Sequence, residues 1–205
     1  MGRVWGLVSD VHGNLAALEE ALRVLEAAGA NHLAFLGDYL GRGDSDACVR
    51  RIRGVADVAV VGNRDLDWQH RVTPATRDWV LGLPRTACAD GLFVAHGDAR
   101  LTPELSTVQI ARGFSRAWHA LEARGARVGA FGHSHHARVW RKAGSAEPPE
   151  PVGPDTVDVE DGYCYFINVG TTGLPFPGKG GPSVDRVDLL AGRISLLPLT
   201  WWRPA

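Results

Sequence analysis

The chain has 205 residues, 45% hydrophobic and 22% charged, which excludes a collagen-like or wholly disordered chain and supplies apolar surface for one core, so a single domain over residues 1–205 is expected. Twenty-two basic against twenty-three acidic side chains leave a formal charge of -1, so no global field draws in long nucleic acid or an anionic membrane. The start MGRVWGLVSD lacks a signal-peptide pattern and no run reaches membrane-spanning length, which makes the cytoplasm the expected location; Cys48, Cys88 and Cys164, odd in number and far apart, are expected to be buried free thiols.

VWGLVS is a short apolar run of the kind that makes a buried strand. Leu15, Leu18, Leu22 and Leu25 then recur at helical spacing, with Asn14 placed as N-cap and Gly29 as C-terminal stop. HLAFLG predicts the second strand, Ser45 to Arg53 a short helix, and VADVAVVG the third strand, so the chain opens with βαβ units and parallel strands. LFVAHG and ARVGAFGH each read as a strand running into a Gly/His turn, with a helix around Thr107 to Arg124 that Gly113 weakens. Lys142 to Asp158, KAGSAEPPEPVGPDTVD, has no apolar period and reads as a surface loop or flap, with the acidic part from Glu147 to Glu160 mobile. GYCYFINVG follows, then VDRVDLL and RISLLPLT joined by a tight turn at Ala191-Gly192, so the chain is expected to finish in antiparallel β structure.

The chemically loaded residues all fall just past predicted strands: Asp10 and His12 after the first, Asp38 after the second, Asn63 after the third, His96 after the next, His133 and His135 after the last of the series. In open α/β sheets, ligands bind in the crevice beyond the carboxyl ends of the strands. Imidazole, carboxylate and one neutral amide, without thiolate, suit manganese, iron, zinc or nickel. Seven such side chains are too many for one tetrahedral zinc and suit two ions sharing a carboxylate.

In order, SDVHGN, GDYLGRG, VGNRD, AHGD and GHSHH resemble the motif series of the calcineurin-like metallophosphoesterases, and the resemblance spans about Val8 to Gly173. It implies an α/β fold of two packed mixed β-sheets flanked by helices, an αββα sandwich. It also implies that Asp10, His12, Asp38 and His135 hold one divalent ion and Asp38, Asn63, His96 and His133 a second, with Asp38 bridging. Manganese is the first expectation. INVGTTG is similar to the Asn-Pro-Gly-Ser segment of small bacterial members, with Val169 where the family has Pro. The short chain resembles the bacterial and archaeal phosphodiesterase-like branch.

Arg42 in GDYLGRG matches the family Arg that contacts the substrate phosphate; its other reading is a solvated loop residue. The family's G-N-H-D is G-N-R-D here, so the His credited with protonating the leaving oxygen is Arg64. Arg64 cannot replace a histidine general acid, because a guanidinium is always charged near neutral pH. Its two readings are phosphate contact and a surface pair with Asp65 or Asp67. His32, His70, His119 and His136 belong to no motif. Lys179 in TTGLPFPGKGG is expected in a mobile loop, and Trp201 and Trp202 over the core or at a dimer contact.

The expected reaction is in-line attack on phosphorus by a hydroxide bridging two metals, with Asn63 and Arg42 holding phosphoryl oxygens. Two divalent ions against Asp10, Asp38 and a hydroxide leave a charge of about +1, which favours a phosphodiester monoanion. A phosphomonoesterase or nucleotide phosphatase, a nuclease and a non-catalytic scaffold of the same fold are the alternatives. The expected partner is a small phosphate ester or nucleotide, with no membrane, and the oligomeric state is left unassigned.

Overall fold

Strand β1 (Val4–Val8) alternates its apolar residues between two environments: Trp5 and Leu7 face one buried layer and Val8 another. The same holds for β2 (His32–Phe35), where Ala34 and Phe35 point to opposite layers, and for β5 (Leu92–Ala95), where Val94 and Phe93 do. Strands buried on both faces read as continuous apolar runs, and they need cover on each side. The computed structural model, which describes residues 2–153 and 155–202, supplies it with four layers. Met1, residues 203–205 and Pro154, the last of these inside the expected flap, lie outside the described residues.

One mixed sheet has the order β3 (Val58–Ala59), β2, β1, β11 (Ser183–Asp188), β12 (Arg193–Pro198), β9 (Thr156–Asp158). The other runs β4 (Thr86–Ala89), β5, β6 (Val128–Phe131), β10 (Cys164–Asn168), β7 (Arg138–Lys142), β8 (Glu150–Val152). Trp5, Leu7, Leu36, Val94, Val128, Tyr165 and Ile167 fill the space between the sheets. Helices α1 (Leu15–Ala27), α2 (Ser45–Arg53) and α4 (Pro74–Leu81) cover the first sheet through Leu18, Leu25, Val49, Ile52 and Val80. α5 (Val108–Ala111) and α6 (Ser115–Glu122) lie with Phe114 over the second, against Phe93, Phe131 and Phe166. The α/β sandwich of two mixed sheets flanked by helices is therefore the observed fold.

α1 begins and ends where its caps demand. Asn14 accepts from the Ala17 N–H, and Gly29, at φ 81°, takes the left-handed position past the last turn. α3 (Asn63–Trp68) starts at an expected metal ligand, and its third residue, Asp65, accepts from the Gly62 N–H.

Four expectations are corrected. The helix expected over 107–124 is two, because Gly113 and Phe114 both take left-handed φ; Phe114 is fixed there by its stack on Phe166 at 4.3 Å. The expected flap supplies β8 and β9, one edge strand to each sheet, tied down by Arg141 to Glu150 at 2.9 Å and Arg193 to Asp158 at 3.2 Å. Edge pairing uses backbone groups and needs no apolar period, and Pro151 is tolerated there. β10 pairs parallel with β6 and antiparallel with β7 in mid-sheet, and β11 and β12 form the expected antiparallel finish. Their turn takes four residues, 189–192, since Asp188 pairs with Arg193. Cys48 and Cys164 are buried, but Cys88 is exposed on β4.

Candidate metal centre

Strands β1, β2 and β3 run parallel in one sheet, and β5, β6 and β10 in the other. Their carboxyl ends open onto one cleft, and the loops leaving them are stitched together. Asp10 N–H donates to the Gly37 carbonyl at 3.1 Å, His12 N–H to Asp38 at 2.9 Å and Gly13 N–H to Tyr39 at 2.9 Å. From the β10 end, Thr172 N–H reaches Ser9 at 2.9 Å and Thr171 Oγ1 donates to the Asp10 carbonyl at 3.0 Å.

These loops bring all seven expected ligands together. The Nε2 atoms of His12 and His135 lie 3.2 Å apart, at 3.6 Å and 3.0 Å from Asp10 Oδ1. Beside them Asn63 Oδ1 is 3.0 Å from His96 Nε2 and 2.9 Å from His133 Nδ1. Asp38 lies between the groups, with Oδ2 at 3.8 Å from His12 Nε2 and Oδ1 at 3.3 Å from His96 Nε2. Ligand atoms of Asp10, His12 and His135 fall within 4.8 Å of one another, as do those of Asp10, Asp38 and His96.

The donor set fits cations. His135 Nδ1 donates to the Leu174 carbonyl at 2.6 Å and His96 Nδ1 to that of Leu36 at 2.8 Å, so each ring turns its Nε2 toward the cleft, where a cation displacing any proton there would find a lone pair. Asp10 is fully buried; Oδ2 accepts from Ser9 Oγ at 2.6 Å and from the His133 N–H at 3.0 Å. Its Oδ1, aimed at the imidazoles, has no hydrogen-bond partner. Lone pairs converging in a buried space repel unless positive charge sits among them.

The electrostatics carry the same sign. Burial works to raise the Asp10 carboxyl, but the adjacent imidazoles of His12 and His135 and the charge of His96 hold it well below the usual carboxylate range. Burial works to lower His96, yet the adjacent Asp38 carboxylate pushes it up to about 10. Burial, and then His96, lower His133. Backbone strain marks the same residues: Asp10, His12, Asp38, His133 and His135 have φ from 50° to 69°, a region that non-glycine residues adopt rarely and mostly where function holds them.

Arg42 is exposed and lines a cavity of about 460 Å³ beside the centre, with His12, Leu40, Gly41, Arg64, Trp68, Leu174 and Phe176. Arg64 combines its two readings: it lines this cavity and also pairs with Asp67 at 3.5 Å, half exposed. Asp65 is not its partner. That carboxylate is fully buried and accepts the N–H groups of Asp38, Tyr39, Leu40 and Gly62 at 2.8–3.0 Å, so it shapes the loop that carries Asp38.

In the sequence Asp65 reads only as a surface partner for Arg64, although it closes VGNRD, and Ser9, Thr171 and the cavity's Trp68, Leu174 and Phe176 carry no signal there. Lys179 lines a separate recess with His136, and His32 pairs with Asp57 at 3.0 Å. Trp201 packs over the first sheet, its Nε1 donating to the Thr172 carbonyl at 3.1 Å.

The profile of the calcineurin-like phosphoesterase superfamily domain matches residues 4–189. An uncharacterised protein of Methanocaldococcus jannaschii is 38% identical over 60 residues, 29% of this chain and a quarter (25%) of that protein's length. A metallophosphoesterase from Sphaerobacter thermophilus superposes with a TM-score of 0.80 at 22% identity, covering 98% of this chain and 90% of that one. A structure described as a novel archaeal phosphodiesterase superposes with a TM-score of 0.53 at 16% identity, covering 96% and 99%. At these identities the likeness to both structures is one of fold. No helix among the described residues is long and apolar enough to cross a membrane.

Proposed function

The chain belongs to the calcineurin-like phosphoesterase superfamily, and from that premise we propose that it hydrolyses a small phosphodiester at a centre where Asp10, His12, Asp38 and His135 hold one divalent ion and Asp38, Asn63, His96 and His133 another. The observation that carries the reading is the unpartnered, fully buried Asp10 Oδ1 among imidazole nitrogens, with Asp38 between the two groups. Bound there, divalent ions would supply Lewis acidity and an acidified water as nucleophile.

The remaining work falls to the chain's own side chains. Arg42 and Arg64, at the cavity wall, bind and orient the phosphoryl oxygens, for which a guanidinium fork is suited. Asp65 fixes the Asp38 loop, and the Leu36 and Leu174 carbonyls set the tautomers of His96 and His135. Neither arginine donates a proton readily at neutral pH, so the leaving oxygen departs as an anion or takes its proton from water. Asp67 beside Arg64 at 3.5 Å offsets part of the cavity's positive charge, which supports a singly charged diester over a doubly charged monoester. Manganese remains the first choice of metal, followed by iron, zinc or nickel, because the donors are nitrogen and oxygen only. The scaffold alternative predicts lost ligands, and here all seven side chains converge.

The test is to strip the purified protein with a chelator, reload it with each metal in turn, and follow bis-p-nitrophenyl phosphate against p-nitrophenyl phosphate. Hydrolysis should fall to background without metal, return with manganese alongside two ions per chain, and favour the diester in kcat/KM. Full activity in metal-free protein would end this reading; a preference for the monoester would return the phosphatase alternative.

A further inference from the structure

Of the large apolar side chains left exposed among the described residues, Leu174 (40%) and Phe176 (44%) lie beside the candidate metal centre. Both belong to TTGLPFPGKGG, and both line the cavity that holds Arg42 and Arg64. The centre itself fixes this segment, since the Leu174 carbonyl accepts from His135 Nδ1 at 2.6 Å and the Leu174 N–H donates to Thr171 Oγ1 at 3.0 Å. Phe176 stacks one face on the His135 ring, with centroids 4.6 Å apart and planes 26° apart, so its exposed area is the opposite face. Trp68, half-buried, has the Arg71 guanidinium over its ring at 4.4 Å and lines the same cavity. Two ring surfaces therefore share a space of about 460 Å³ with two guanidinium groups and the ligand His12.

Flat apolar walls next to cationic phosphate binders match an ester that is planar and aromatic at one end and anionic at the other. Resting on the phosphoesterase reading above, we infer that the substrate carries a planar aromatic ring system on one of its alcohol groups, as a nucleotide does, and that Phe176 and Trp68 form the subsite that receives it while Arg42 and Arg64 meet the phosphate. Leu40 and Leu174 complete the apolar lining. Apart from the single Nε1–H of Trp68 these side chains offer no hydrogen-bonding group, so the subsite selects a ring by its flat faces and tolerates different bases.

Adenosine 5′-monophosphate and ribose 5-phosphate share phosphate and sugar and differ by the base alone. Each is titrated as a competitor of bis-p-nitrophenyl phosphate hydrolysis by manganese-loaded protein. A base stacked on aromatic side chains should lower the inhibition constant by about 5- to 150-fold relative to the sugar phosphate. Phe176→Leu, which keeps an apolar side chain but removes the ring, and Trp68→Ala should each pull that ratio toward one, whereas Phe176→Tyr should preserve it. Equal inhibition by the two compounds, or a ratio unmoved in both Phe176→Leu and Trp68→Ala, overturns the inference and leaves the phosphoesterase reading intact. Sedimentation of the wild type as a dimer that Phe176→Leu splits would assign the ring to a second copy of the chain and overturn it as well. If no metal supports cleavage of bis-p-nitrophenyl phosphate, the phosphoesterase reading itself falls, and the inference with it.

Discussion

Stripped of metal, the protein is expected to carry a proton on His96 where an ion is proposed. His96, pushed up to about 10 by Asp38 despite its burial, holds it between Asp38 Oδ1 and Asn63 Oδ1, at 3.3 Å and 3.0 Å. Its folded-state value is raised, so the stability it contributes is fully present below about pH 6.5 and is lost as pH rises through about 10. A metal must displace that proton, so affinity for manganese should climb with pH between about 7 and 10, nearly tenfold per unit, with proton uptake by the buffer. Calorimetry in buffers of different ionisation enthalpy measures it; an affinity flat across that range would remove the proton from His96. Asp38 also pushes Asp65 upward, after burial, to about 7, so repulsion between these carboxylates works against the metal-free fold. Asp38→Asn keeps an oxygen for the Arg64 N–H, now at 2.8 Å, and removes the charge. Metal at saturation should raise the melting temperature of the wild type by about 5–10 °C and leave that of the variant unmoved. Equal gains in the two proteins, read by calorimetric melting, would show that Asp38 holds no ion.

Between residue and molecule stand the strand-to-loop junctions, and there the sequence is most legible. VWGLVS, HLAFLG, LFVAHG and ARVGAFGH are apolar because the other sheet covers one face and helices the other, and each ends in a turn that carries candidate ligands. The elements that escaped reading owe their form to tertiary contact. α3 begins at Asn63 because Asp65 gathers the N–H groups of Gly62 and the Asp38 loop, a pattern joining positions more than twenty apart. β8 and β9 are edge strands whose pairing uses backbone alone, and β4 pairs only with β5 at the other edge. α4 did carry local signals, Pro74 at its first turn and Gly82 at its end. Proximity of the loops imposes a size limit that composition does not reveal: a β-carbon on Gly62 would collide with the Asp38 backbone nitrogen and carboxylate, neither of which can give way without moving a ligand. Gly62→Ala should therefore cost about 1–3 kcal/mol of stability by overpacking and weaken metal binding at the same time. Denaturant melts with metal titration test the pair of effects; a destabilised protein with wild-type metal affinity would separate this glycine from the centre.

On the scale of the whole molecule the least expected feature is a carboxylate between the two sheets. Along β11, Val184 packs toward the helices and Val187 toward the second sheet, so Asp185, two residues before Val187, faces the inter-sheet layer, opposite Leu7 on β1. It is fully buried, and neither oxygen has a hydrogen-bond partner. Burial alone raises its carboxyl well above the ordinary range. Because the folded-state value is raised, Asp185 costs least below about pH 4, where the acid is neutral in both states, and the cost grows as pH rises toward the folded-state value. The sandwich thus carries an internal acid that opposes folding increasingly as the solution becomes alkaline. Asp185→Leu, which replaces it with an apolar side chain, should stabilise the protein by about 1–4 kcal/mol at neutral pH. Asp185→Asn, which keeps a polar group but cannot ionise, should recover only the part that varies with pH. Melting curves for the three proteins from pH 5 to 9 decide the matter: the gap between wild type and Asp185→Asn should widen with pH. Parallel curves would mean that Asp185 is paired or neutral throughout, and the inter-sheet layer would then tolerate its acid without cost.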